Sequence, residues 1–251
     1  MDRFRSFDDV WLAYRDTGER DREPLVMLHG FTGSSEINWV RTGVYDKLRR
    51  SGRRIIMLDA RGHGESDKPH SSYSYWNRAM AQDVHALMQH LGLFGFDILG
   101  FSMGAKVAIE AAVMYNGIRS LALAGLSIYD RDWEWTESER RARVRDMLAK
   151  NPKNPGPYRI SADDSGGDRK AYAARLEGTI FPEFSHWQLK KIHIPVLVIN
   201  GSEDYDAREA AGYFPNARGV ALKGDHAGVL THRNFAGRVL AFLDEQTASA
   251  A

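Results

Sequence analysis

Short runs of Val, Ile and Leu alternate with amphipathic stretches along this chain, and that alternation restricts its fold more than any other feature. The runs are Leu25–Leu28, Arg54–Leu58, Phe96–Leu99, Ser120–Ala124, Val196–Ile199 and Gly219–Leu222. Apolar runs this continuous fit strands buried on both faces, as in a parallel sheet. Between them, Ala81 to Leu91 carries Val84, Leu87, Met88 and Leu91 at helical spacing, Met103 to Tyr115 is rich in Ala and Met, and Phe235 to Leu243 is a closing helix. The pattern predicts an α/β fold with a doubly wound, mostly parallel sheet. Ahead of it, Phe4–Phe7 and Val10–Tyr14 alternate around Asp8-Asp9, which predicts an antiparallel hairpin at the sheet edge.

One stretch breaks the rhythm. From Ser127 to His193 no run reads as a buried strand. Thr136 to Glu139 has the form of a helix cap, and Val144, Met147 and Leu148 follow on one face. Asn151 to Gly167, dense in Pro, Gly, Asn and Asp, reads as loop, and Asp168 caps a further helix through Arg175 and Leu176. The division expected is a core of residues 1–126 and 194–251, with residues 127–193 as an inserted helical cap. The small, polar tail Gln246–Ala251 is expected to fray.

Composition then excludes several chemistries. There are no cysteines, which removes disulfides, thiolate catalysis, cysteine-bound zinc and iron–sulfur clusters. With 34 Lys and Arg against 33 Asp and Glu, the net charge is +1, so no long-range field recruits nucleic acid or an anionic membrane. Met1-Asp2-Arg3-Phe4-Arg5 leads into no secretory apolar core, and no run could span a bilayer; a cytoplasmic protein is the expectation.

The sharpest motif is Gly100-Phe101-Ser102-Met103-Gly104. It matches Gly-x-Ser-x-Gly and lies between an apolar run and an Ala-rich helix, where a strained strand-to-helix turn pushes a serine hydroxyl outward. A serine is a weak nucleophile that needs a base, and the base needs an orienting acid. His226 lies in the loop after the last strand, while Glu203, Asp204 and Asp206 share the loop after Val196–Ile199. Asp204 is favoured as the acid and Asp206 stays open; Asp130 and Asp132 are remoter candidates, and Asp225, adjacent to His226, reads as structural.

In these segments the chain resembles the α/β-hydrolase superfamily, in its serine-nucleophile, esterase-like branch. His29-Gly30-Phe31 is similar to the family's His-Gly-x oxyanion segment, and Asp59-Ala60-Arg61-Gly62-His63-Gly64-Glu65-Ser66 to its Asp-x-Arg-Gly-x-Gly-x-Ser turn. The resemblance implies Ser102 as nucleophile, Asp204 as acid and His226 as base, with the backbone N–H groups of Phe31 and Met103 as the oxyanion hole.

The other histidines carry less. His63 reads as a hydrogen-bonding element of its turn and His29 as an organiser of the oxyanion segment; His85 and His90 lack metalloprotease spacing. No metal, nucleotide or other cofactor is expected. Trp39, Trp133 and Trp135, with Phe31 and Met103, are candidate pocket walls favouring an apolar acyl or alcohol group. The function expected is hydrolysis of small-molecule carboxylic esters through an acyl-enzyme. A lactonase, a perhydrolase and a carbon–carbon bond hydrolase use similar residues, and a small-molecule receptor on the same fold is the rival of another class. Oligomeric state is not encoded in any feature of the sequence.

Overall fold

The structure, a computed structural model, describes residues 1–18, 23–128, 136–178 and 185–249. Eight strands form one sheet: β1 (Asp2–Arg5), β2 (Trp11–Asp16), β3 (Leu25–Leu28), β4 (Ile55–Leu58), β5 (Phe96–Phe101), β6 (Ile118–Ala124), β7 (Val196–Gly201) and β8 (Ala217–Leu222). Their order is β1-β2-β4-β3-β5-β6-β7-β8. Only the pairings β1–β2 and β2–β4 are antiparallel; β3 to β8 run parallel. The sheet is thus the doubly wound, mostly parallel one expected, with the antiparallel hairpin on its edge.

Side chains alternate between two cores, as a period of two requires. Val26, Leu28, Ile56, Leu58 and Ile98 face one side, with α2 (Ala79–Leu91) and α3 (Met103–Met114). Leu25, Met27, Ile55, Met57 and Leu99 face the other, with α1 (Val44–Arg49) and α9 (Phe235–Ser249). Each fully buried Leu or Ile contributes about 1.5–3 kcal/mol by leaving water.

Between β6 and β7 lie α4 (Glu137–Leu148), α5 (Pro157–Ser165), α6 (Arg169–Gly178) and the short α7 (His186–Leu189). Among the described residues of this stretch there is no strand. Met147, Ala162, Tyr172, Ala173 and Leu176 form a small core of their own, against which Val144 and Phe31 pack. Thr136 and Glu139 make a reciprocal capping box on α4, and Asp168 accepts from the backbone N–H groups of Lys170 and Ala171 at the start of α6. Leu148, expected on the buried face, is exposed at the end of α4.

Two local expectations are overturned. The loop reading of Asn151–Gly167 misses α5. Pro157 stands in its first turn, where a missing N–H costs nothing, and Gly166 terminates it in the left-handed conformation, so both residues bound a helix rather than prevent one. Of the tail expected to fray, residues 246–249 continue α9, with Gln246 and Thr247 bonded back along the helix and Arg53 donating to the Thr247 hydroxyl, while Ala250 and Ala251 lie outside the described residues.

α8 (Ala207–Ala211) follows β7. Because β5, β7 and β8 are parallel, the loops leaving their C-terminal ends gather at one edge of the sheet. Ser102, Asp204 and His226 lie on those three loops.

Candidate active site

Ser102 occupies the single residue between β5 and α3, with φ 52° and ψ −110°. A non-glycine residue in that region is strained and persists only where its surroundings fix it. A Cβ on Gly100 would strike the backbone of α3 at Gly104, and one on Gly104 would strike the Leu28 carbonyl, so strand and helix meet this closely only with glycine at both positions. The Ser102 N–H donates to the Ala124 carbonyl at 2.8 Å, tying the turn to β6.

His226 bridges the other two loops. Its Nδ1 donates to Asp204 Oδ2 at 2.7 Å, and its Nε2 lies 3.0 Å from Ser102 Oγ. With the Nδ1 proton held by a carboxylate, Nε2 presents its lone pair to the serine hydroxyl. The Asp204 side chain is 7% exposed and the imidazole 43%, so the acid is shielded while the base faces the opening. Asn200, fully buried, braces the acid loop: its side chain accepts from Leu126 N–H and donates to the Leu126 and Tyr205 carbonyls, all at 2.9 Å. The face of the imidazole lies by Phe101, ring centroids 5.1 Å apart. Gly125, in the left-handed region at φ +60°, leaves the space that the imidazole occupies.

The remaining acids of these loops are engaged elsewhere. Asp206 caps α8, accepting from Arg208 N–H at 2.7 Å and Glu209 N–H at 3.3 Å. Asp225 accepts from Gly228 N–H at 2.7 Å. Geometry therefore brings Asp204, and not Asp206 or Asp225, to His226.

The segment after β3 turns back beside Ser102. Gly30 lies against it, close enough that a Cβ there would sit 3.5 Å from Ser102 Cβ and 2.8 Å from the Phe101 ring. The Gly30 carbonyl accepts from His29 Nδ1 at 2.8 Å and from Gly33 N–H at 3.1 Å. In a trans peptide the N–H points opposite to the carbonyl, so these bonds aim the Phe31 N–H away from His29 and Gly33. Among the described residues neither Phe31 N–H nor Met103 N–H has a hydrogen-bond partner. Asn38 accepts from Gly30 N–H at 2.9 Å.

His29 accepts from Ala60 N–H through Nε2, which with its Nδ1 bond fixes one neutral tautomer. Burial pushes its pKa down. Burial pushes His63 further down, helped by His29 nearby. His63 donates through Nδ1 to the Arg61 carbonyl, so both histidines are framework groups. Arg61 itself is buried among Asp83, Asp8 and the Ser74 carbonyl. Among the described residues no three His, Asp or Glu side chains group as metal ligands.

Residues 23–149 match the model of the alpha/beta hydrolase fold family, half of the chain. The chain belongs to that family. This α/β hydrolase is 36% identical to a proline iminopeptidase of Clostridium botulinum over 149 residues, 56% of the chain and 50% of that protein. The chain thus spans about half the length of that curated relative. An esterase from Exiguobacterium antarcticum superposes with a TM-score of 0.77 at 22% identity, covering 96% of this chain and 98% of the other. The enol-lactonase of Burkholderia xenovorans does so with a TM-score of 0.73 at 21% identity, covering 97% and 100%. At those identities the superpositions show the fold alone.

In this chain Trp39 is not a pocket wall. It is fully buried in the core with Leu25, Met27 and Leu48, because the turn carrying it packs under α1, away from the sheet edge. Met103 is also buried, with its side chain in the α2–α3 core. Phe31 is half-buried, edge-on to Tyr158 and Tyr172 with ring centroids 5.4 Å apart in each pair. Trp133, Trp135, Asp130 and Asp132 lie outside the described residues. Sequence reasoning misses Asn200, Asn38 and Tyr158. For Asn200 a signal exists, a polar residue closing a continuous apolar strand; for Tyr158, in a stretch that reads as loop, there is none.

Proposed function

We propose that this protein is a serine hydrolase that cleaves carboxylic esters of small, largely apolar substrates through an acyl-enzyme. The observation that carries the reading is the relay from Asp204 through His226 to Ser102, at 2.7 and 3.0 Å, ending on a serine in a strained turn. His226 takes the Ser102 proton as Oγ attacks the ester carbonyl. The tetrahedral oxyanion is met by the N–H groups of Phe31 and Met103. Collapse expels the alcohol, which takes its proton from His226 and leaves Ser102 acylated. Water, deprotonated by the same imidazole, attacks in turn, and the acid departs as Ser102 regains its proton. A single oxyanion donor of this kind is worth about 3–4 kcal/mol.

The ring of Phe31, one residue past the glycine that lies against Ser102, and the Tyr158 ring packed on it support an apolar acyl or alcohol group. Helices α4 to α6, inserted between β6 and β7 with a core of their own, serve in this reading as a cap on the hydrolase core. Small uncharged substrates fit the net charge of +1, with no need for a nucleic-acid or membrane partner.

The test is turnover of short-chain nitrophenyl esters, lactones, ring-cleavage diketones and prolyl anilides, with Ser102→Ala beside each. Ester turnover that falls about a million-fold in the variant supports the reading. Ester turnover unchanged in Ser102→Ala, or ligand binding without turnover of any class, refutes it.

A further inference from the structure

The turn that presents the Phe31 N–H contains a residue poorly suited to it. Gly30 carbonyl and Gly33 N–H close the turn at 3.1 Å, and Thr32 stands at its third position with φ 61°. That position and sign favour glycine or asparagine, and a β-branched residue there is an outlier that needs outside support.

The support comes from α5. Thr32 Oγ1 donates to the Phe31 carbonyl at 2.7 Å and lies 2.6 Å from Ser161 Oγ. Thr32 has one hydroxyl proton, already given to the carbonyl, so Ser161 donates to Thr32. The two bonds run head to tail from α5 through Thr32 to the Phe31 carbonyl, an arrangement in which each bond polarises the next. The Phe31 ring also packs edge-on against Tyr158 of α5 and Tyr172 of α6, with the Arg175 guanidinium 5.6 Å from its centroid. Ser161 is 129 residues from Thr32 in sequence.

From this we infer that Ser161 is a positioning residue for the oxyanion hole, acting through Thr32 to hold the Phe31 N–H where the developing oxyanion forms. The inference rests on the ester-hydrolase reading above. It means that α5 does more than cover the site: docking of this helix completes it. Ser161 touches neither substrate nor reacting atoms, and its effect falls on transition-state stabilisation rather than on ground-state binding.

Ester kinetics of Ser161→Ala, Ser161→Thr and Thr32→Gly test it, together with inhibition by an aryl boronic acid, whose tetrahedral serine adduct carries an oxyanion. Ser161→Ala should lower kcat about three- to tenfold, the worth of one hydrogen bond, with KM within about twofold by the same reasoning for a transition-state contact. Boronate affinity should weaken by the same factor as kcat/KM, and Ser161→Thr, which keeps the hydroxyl, should restore both. In the Thr32→Gly background, where no strained residue remains to be held, Ser161→Ala should have no further effect. Unchanged kcat in Ser161→Ala, a loss that Ser161→Thr does not restore, or a loss confined to KM overturns the inference. If Ser102→Ala abolishes turnover while Ser161→Ala leaves kcat intact, only the positioning role fails. If Ser102→Ala retains turnover, the underlying reading fails instead.

Discussion

Replacing Gly125 by alanine measures how tightly the imidazole of His226 is held. The new Cβ would lie 2.9 Å from His226 Cε1, 3.2 Å from its Nδ1 and 2.9 Å from the Phe101 ring. Carbon–carbon contact is comfortable from about 3.5 Å, so ring or backbone must give by roughly 0.6 Å. His226 is tied by bonds of 2.7 and 3.0 Å and Phe101 is 5% exposed, so the imidazole can recede only toward solvent, at the expense of those bonds. A misplacement of about 1 Å in a catalytic group costs on the order of a hundredfold, and 0.6 Å therefore about ten- to a hundredfold in kcat. Gly125 also has φ +60°, where an L-residue costs about 1–2 kcal/mol. Gly92→Ala separates the two effects, since Gly92 has φ +65° and a Cβ added there would meet nothing within 4 Å. Both variants should lose about 2–8 °C in Tm, from the backbone cost and the size of the chain. Only Gly125→Ala should lose ester turnover, read as kcat at saturating substrate on protein shown to be folded by circular dichroism. Full activity in Gly125→Ala, or equal loss in Gly92→Ala, would refute the claim that imidazole placement limits the reaction.

The two acids of the β7 loop should separate cleanly. Asp204→Asn should lower kcat by about ten-thousandfold through loss of the orienting carboxylate, while Asp206→Ala should keep kcat and cost about 1 kcal/mol of stability as a lost helix cap, read by ester kinetics and urea unfolding. Stability should also depend on pH through His29 and His63. Both are neutral when folded because burial lowers their pKa below the ordinary 6.5, whereas the unfolded chain binds protons there. Stability is therefore fully present well above pH 6.5 and falls as pH drops from there toward the folded values, below which the loss levels off, by up to about 1.4 kcal/mol per pH unit for each group. Urea midpoints between pH 6.5 and 5.5 should show this slope, and His63→Gln should roughly halve it; a flat profile would contradict the neutral, buried assignment.

Much of the fold was legible because burial on both faces leaves a continuous apolar run. Leu25–Leu28 is β3 residue for residue, and Val196–Ile199 lies within β7. The strand-to-helix serine was legible because its glycines answer to backbone contacts that few other sequences meet. Less visible was whatever depends on where a turn carries a side chain. Trp39 is eight residues beyond Phe31, yet the intervening turn sends it into the core under α1. Pro157 and Gly166 mark the ends of α5, and only the length between them, free of Pro and Gly, distinguished a helix from a loop. Among the three acids after β7, the run Asp206-Ala207-Arg208-Glu209 carries the spacing of a helix cap, a signal that could have separated Asp206 from Asp204. Nothing in sequence links Ser161 to Thr32, because their contact exists only once α5 has folded over the turn after β3.

The central claim is that Ser102 attacks the substrate with His226 as its base. Reaction with a nitrophenyl phosphonate, followed by intact-mass and peptide-mass measurement, tests it most directly. The account predicts one phosphonyl group per chain, located on the peptide containing Ser102, formed at a rate that collapses in His226→Ala and absent in Ser102→Ala. A phosphonyl group on any other residue, or labelling of Ser102 undiminished in His226→Ala, would contradict it.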